Sequence, residues 1–141
     1  MSVFFNTKAG ATVTQYHASI EDAEALKNRV AELLVDLDIK EGTIDVLREI
    51  LSPDKKGSLL DVNLNAECVN NLKKILLTFE IDKKLDELIF KCLSRWTYND
   101  FKISKKTFEE VEARQDLLQI KTECLKYELL PFFKNLFSFV S

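Results

Sequence analysis

The residues able to do chemistry are few and badly spaced for it. Three cysteines, Cys68, Cys92 and Cys124, are odd in number and far apart, and each sits among apolar residues at helical spacing. That pattern reads as reduced core cysteines of an intracellular protein, because an unpaired Cys packs as a small hydrophobe. A cysteine or serine nucleophile needs a base, and the one histidine, His17, lies outside any periodic segment. A zinc site lacks ligands. No two of Gly10, Gly42 and Gly57 have the spacing of a phosphate-binding loop. The chain is therefore expected to be no enzyme and to need no cofactor or metal.

The bulk composition points the same way. The chain has 141 residues, 46% of them hydrophobic, and 20 Lys and Arg against 23 Asp and Glu give a net charge of −3. One domain fits this length. The balance is that of a soluble globular protein and disfavours direct nucleic-acid binding, whose signature is a basic stripe. Val3, Phe4 and Phe5 stop at Asn6, too short a run for a signal peptide, and no stretch is long enough to span a membrane.

The elements that would position these residues read as helices. With 3 Gly and 2 Pro, the chain lacks the turns of an all-β protein. Residues 1–18 show no helical stripe and read as a flexible tail, a weak hairpin across Val3–Tyr16 being the alternative. Ser19 with Asp22 opens a helix whose face is Ala23, Leu26, Val30, Leu33 and Leu37. A short helix follows Thr43 and is stopped by Pro53 and Gly57. Asn65 caps a third, with Val69, Leu72, Ile75, Leu76 and Phe79 inward. Asp82 caps a fourth, on which Leu85, Leu88, Ile89, Cys92, Leu93 and Trp96 form a near-ideal stripe. After a polar stretch with an Asn99-Asp100 turn signal, Thr107 and Glu110 announce a long helix to about Leu130. It carries two stripes, one of Ala113, Leu117, Ile120, Cys124 and Tyr127, the other of Val111, Leu118 and Leu125. Pro131 then begins an aromatic end containing Phe133 and Phe137. The expected fold is all-α: a compact bundle of four to five short helices at 19–102, then a longer helix and aromatic tail at 103–141.

Two stretches carry a resemblance. Val69-Asn70-Asn71-Leu72-Lys73-Lys74-Ile75 and Leu88-Ile89-Phe90-Lys91-Cys92-Leu93-Ser94-Arg95-Trp96 are similar to paired helices of the N-terminal domain of transcription elongation factor TFIIS. Within that superfamily the chain most resembles the integrase-binding domain of lens epithelium-derived growth factor. The likeness covers about residues 20–100. It implies a nuclear scaffold of transcription or chromatin factors, with a cytoplasmic role as the alternative. Its ligands would be short disordered acidic motifs containing Phe, captured in a notch between interhelical loops. Carried over position by position, Ile39 and Lys40 supply one loop, Phe79 and Ile81 the other, and Lys73 and Lys74 flank it. An anchored Phe steered by lysines is a sound physical design for weak, specific capture. A second function class competes with this: a structural subunit that forms a homodimer or larger complex through Leu118, Leu125, Phe133 and Phe137.

Overall fold

Strand-forming residues at two places in the chain meet in one sheet, which the sequence reading did not anticipate. The structure, a computed structural model, describes residues 3–37 and 66–129, with backbone only at 66–72 and 76. Within them are four strands: β1 (Val3–Asn6), β2 (Thr12–Gln15), β3 (Thr97–Tyr98) and β4 (Phe101–Lys102). They form one antiparallel sheet in the order β1-β2-β3-β4. The helices are α1 (Ile20–Asp36), α2 (Ala66–Ile81), α3 (Lys83–Leu93) and α4 (Val111–Leu129), with a 3₁₀ turn at Lys105–Glu109. The all-α expectation is thus wrong; the protein is mixed α and β. The short helix after Thr43 lies outside the described residues.

Residues 3–16 form the hairpin, not a tail. Val, Phe and Thr supply the β-branched and aromatic side chains that suit a pleated surface. Gly10, at φ +90°, lets the chain reverse, and its N–H donates to the Thr7 carbonyl at 3.0 Å. The second hairpin turns on Asn99 (φ 50°) and Asp100 (φ 71°). Two successive left-handed residues are the geometry of a tight two-residue hairpin turn, and Asn and Asp tolerate it. Asn99 also stitches the hairpins together. Its N–H donates to the Thr12 carbonyl at 2.8 Å, and its Oδ1 accepts from the Thr12 N–H at 2.9 Å.

The helices follow their caps. Ser19 Oγ accepts from the Asp22 N–H at 3.2 Å, and Asp82 Oδ2 from the Leu85 N–H at 2.8 Å. Arg29 of α1 grips that second cap, with Nη2 2.6 Å from Asp82 Oδ1, and so ties α1 to the start of α3. The inward faces expected for α1 and α3 are buried at Ala23, Leu26, Val30, Leu33, Leu85, Ile89, Cys92 and Leu93. Trp96 joins sheet to helices. It is fully buried, touches Phe5 and Tyr127 edge-on at 6.3 and 5.9 Å, and donates from Nε1 to the Tyr16 carbonyl at 3.1 Å.

Candidate functional site

An apolar groove of about 240 Å³ runs between the C-terminal end of α2 and the face of α4. Phe79 and Glu80 come from α2, Ile89 from α3, and Leu117, Leu118, Lys121, Thr122 and Leu125 from α4, with Arg114 at one end. Ile89 is buried and Phe79, Leu117 and Leu125 are half-buried, whereas Leu118 stands 67% exposed. A helix with two apolar stripes makes this groove. The first stripe seats α4 on α3, and the second is left over with Leu118 at its centre.

The groove unites residues that the sequence reading assigned to different surfaces. Phe79 belonged to the loop notch and Leu118 and Leu125 to an assembly face, yet all three line one wall-to-wall depression. Ile81 is 70% exposed at the end of α2 and does not line it. Lys73 and Lys74 are exposed farther up α2. Ile39, Lys40, Phe133 and Phe137 lie outside the described residues.

The charges at the rim are partly committed. Lys121 Nζ lies 2.7 Å from Asp86 Oδ1, and Lys105 Nζ approaches the other oxygen at 3.5 Å. Arg114 spends Nε on the Phe108 carbonyl at 3.1 Å, while its side chain stays exposed. The rim thus sets Arg114 and Lys121 against two carboxylates, Glu80 and Asp86, the second of them paired to Lys121.

Cys92 and Cys124 are buried free thiols; contact with Cys92 and burial push the Cys124 thiol well above its ordinary value, away from the reactive thiolate. No three His, Cys, Asp or Glu side chains converge to hold a metal ion among the described residues. No helix among them is long and apolar enough to cross a membrane.

Two buried carboxylates went unnoticed in the sequence. Asp116 accepts from Tyr98 Oη at 2.8 Å and from the Ala9 N–H at 3.3 Å. Burial, then this bond to Asp116, pushes the Tyr98 phenol up to about 12. Glu128 accepts from the Ala18 N–H at 3.0 Å, and His17, stacked on Tyr127 with ring centroids 4.1 Å apart, lies near its other oxygen. Burial raises the Glu128 carboxyl above the usual range. A signal existed: positions 116 and 128 fall on the inward stripe defined by Ala113, Ile120 and Cys124. These carboxylates fasten the N-terminal hairpin and its exit to α4, which makes them structural.

Searches against family models, curated proteins and solved structures find no match to this chain.

Proposed function

We propose that this chain is a non-enzymatic interaction module, and that the α2–α4 groove captures a short acidic, Phe-containing segment of a disordered protein. Leu118 carries the reading. A large apolar side chain held two-thirds in water on a helix beside a half-buried Phe79 gains about 2 kcal/mol when a ligand covers it. One aromatic side chain suits the groove's volume, and the exposed Arg114 at its end offers positive charge to an acidic neighbour of that anchor. The resemblance of residues 69–75 and 88–96 to the TFIIS N-terminal domain supports the same ligand class. A nuclear role in transcription or chromatin is part of the proposal and rests on that resemblance alone; the groove would serve equally in the cytoplasm.

NMR titration of the labelled full chain with a short Asp- and Glu-rich peptide containing one Phe tests this. Shifts should cluster on Phe79, Leu117, Leu118 and Leu125, with a dissociation constant on the order of micromolar, about −8 kcal/mol. Leu118→Asp should abolish them while the circular dichroism spectrum stays unchanged. A groove unmoved at about 1 mM peptide overturns the reading.

A further inference from the structure

The two edges of the sheet are not alike. The β4 edge is two residues long, carries Lys102, and runs directly into the 3₁₀ turn. A short strand with a lysine is how natural sheets discourage further pairing. The β1 edge is four residues long, Val3-Phe4-Phe5-Asn6, with no charge, no proline and no bulge in its register against β2. No described element pairs with its outer side.

The hydrogen-bond pattern shows which groups stand open there. Thr12 turns its carbonyl and N–H to Asn99, so they do not bond its cross-strand partner Asn6. The backbone of Asn6 therefore points out of the sheet. One residue on, the Thr7 N–H donates inward to the Ala11 carbonyl at 2.8 Å. Alternation along an antiparallel pair then directs Phe5 inward and Phe4 outward. Phe4 is also 67% exposed on the face opposite Phe5, which packs on Trp96.

We propose that the β1 edge pairs with the β1 edge of a second copy of this chain, joining two sheets into one across a two-fold axis. The symmetry selects the register. An axis normal to the sheet preserves faces, so an even-numbered residue must meet an even-numbered one. The register that uses both open residues sets Phe4 against Asn6 of the second copy, and Asn6 against its Phe4. Each of these pairs exchanges two N–H···O=C bonds. The two Phe5 side chains then face each other at a non-hydrogen-bonded position, where cross-strand side chains approach most closely, and the two Phe4 rings lie diagonally. Charge permits the pairing. The hairpin from Val3 to Tyr16 holds one charged side chain, Lys8, which falls beyond the paired residues. A partner with a different sequence is not needed to satisfy this edge, because the edge is its own complement.

The contact is small, so the dimer is weak and reversible, with a dissociation constant on the order of 0.1 mM. Analytical ultracentrifugation of the full chain from about 10 µM to about 1 mM should show a monomer–dimer equilibrium and nothing larger, since pairing consumes β1 and β4 is guarded. Over the same range, amide exchange at Phe4 and Asn6 should slow with concentration. Phe4→Lys, and separately Asn6→Pro, which removes an outward N–H, should each weaken the dimer at least about tenfold. Phe4→Lys should keep the wild-type melting curve, and both variants should keep the peptide response at Leu118; Asn6→Pro also gives up the Thr12 Oγ1 bond to Asn6 Oδ1 at 3.2 Å. A monomer throughout the range, a dimer indifferent to both substitutions, or growth beyond a dimer overturns the proposal.

Discussion

The two long sides of α4 have opposite characters. On one side Asp116 and Glu128 are buried and hold backbone groups of residues 9 and 18, and Ile120 and Cys124 pack between them. On the other, Leu118 stands exposed and Leu117 and Leu125 are half-covered. Side-chain type alone misleads here: the acids are inside and the leucine is outside. Partners explain the inversion. A carboxylate with two donors can be buried at modest cost, whereas leaving those donors unpaired costs more. An apolar side chain left open has nothing to hold and is free to meet a ligand.

The comparison can be broken most forcefully at Trp96, on the fastened side. Trp96→Ala should cost about 3–5 kcal/mol in urea unfolding, since it opens a cavity between sheet and helices and strands the Tyr16 carbonyl. A cost below about 1 kcal/mol would mean that the hairpin is not fastened there. Asp116→Ala should cost about 2 kcal/mol by the same measurement, because it leaves the Tyr98 hydroxyl and the Ala9 N–H unpaired. Asp116→Asn, which keeps an acceptor, should recover part of that loss.

Acid titration sharpens the contrast further. Burial raises the Glu128 carboxyl above its ordinary 4.5, so the folded state binds this proton more tightly than the unfolded one. Its contribution to stability is full below that ordinary value and is lost as pH rises through the raised one. Asp82, held below its ordinary 3.8 first by Arg29, has the opposite sign: it stabilises above that value and loses the contribution as pH falls. Thermal midpoints between about pH 4 and 7 should lose their Glu128-dependent slope in Glu128→Gln, whereas Arg29→Ala should remove the decline seen below about pH 4. The smallest effect belongs to the open side. Leu118→Asp should change unfolding free energy by no more than about 0.5 kcal/mol while abolishing peptide capture.

Helices were legible in this sequence where caps and stripes agree. Ser19, Asp82 and the run from Leu85 to Leu93 mark α1 and α3 correctly, because local hydrogen bonds and a 3.6-residue period are written within a few neighbouring residues; Trp96, expected on the same stripe, lies past the helix end and leads into β3. The long helix was legible too, though its expected opening at Thr107 proves to be the 3₁₀ turn, where Thr107 Oγ1 accepts from the Ser104 N–H at 3.0 Å. The first hairpin was legible only as the alternative to a tail, and the four-stranded sheet was not legible at all. Strands of two and four residues leave too little alternation to read, and β3 meets β2 by pairing Thr97 with Thr14 and Tyr98 with Val13, contacts more than eighty positions apart. Asn99-Asp100 was recognised as a turn, but nothing nearby says that Asn99 also binds Thr12. For the groove, its members Phe79, Leu118 and Leu125 were each singled out; their meeting was not, because α2 and α4 are brought together by packing and not by any local pattern.

The reach of Glu128 and Asp116 to the hairpin also sets an order of events. The bonds to Ala18 and Ala9 span 110 and 107 positions. During synthesis at roughly 5–20 residues per second, the β1–β2 segment must wait about 5–20 s before its fasteners emerge. Phe5, which packs on Trp96 in the folded chain, is uncovered for most of that interval. The hairpin, earliest of these elements along the chain, is therefore fastened to α4 only once α4 has been made.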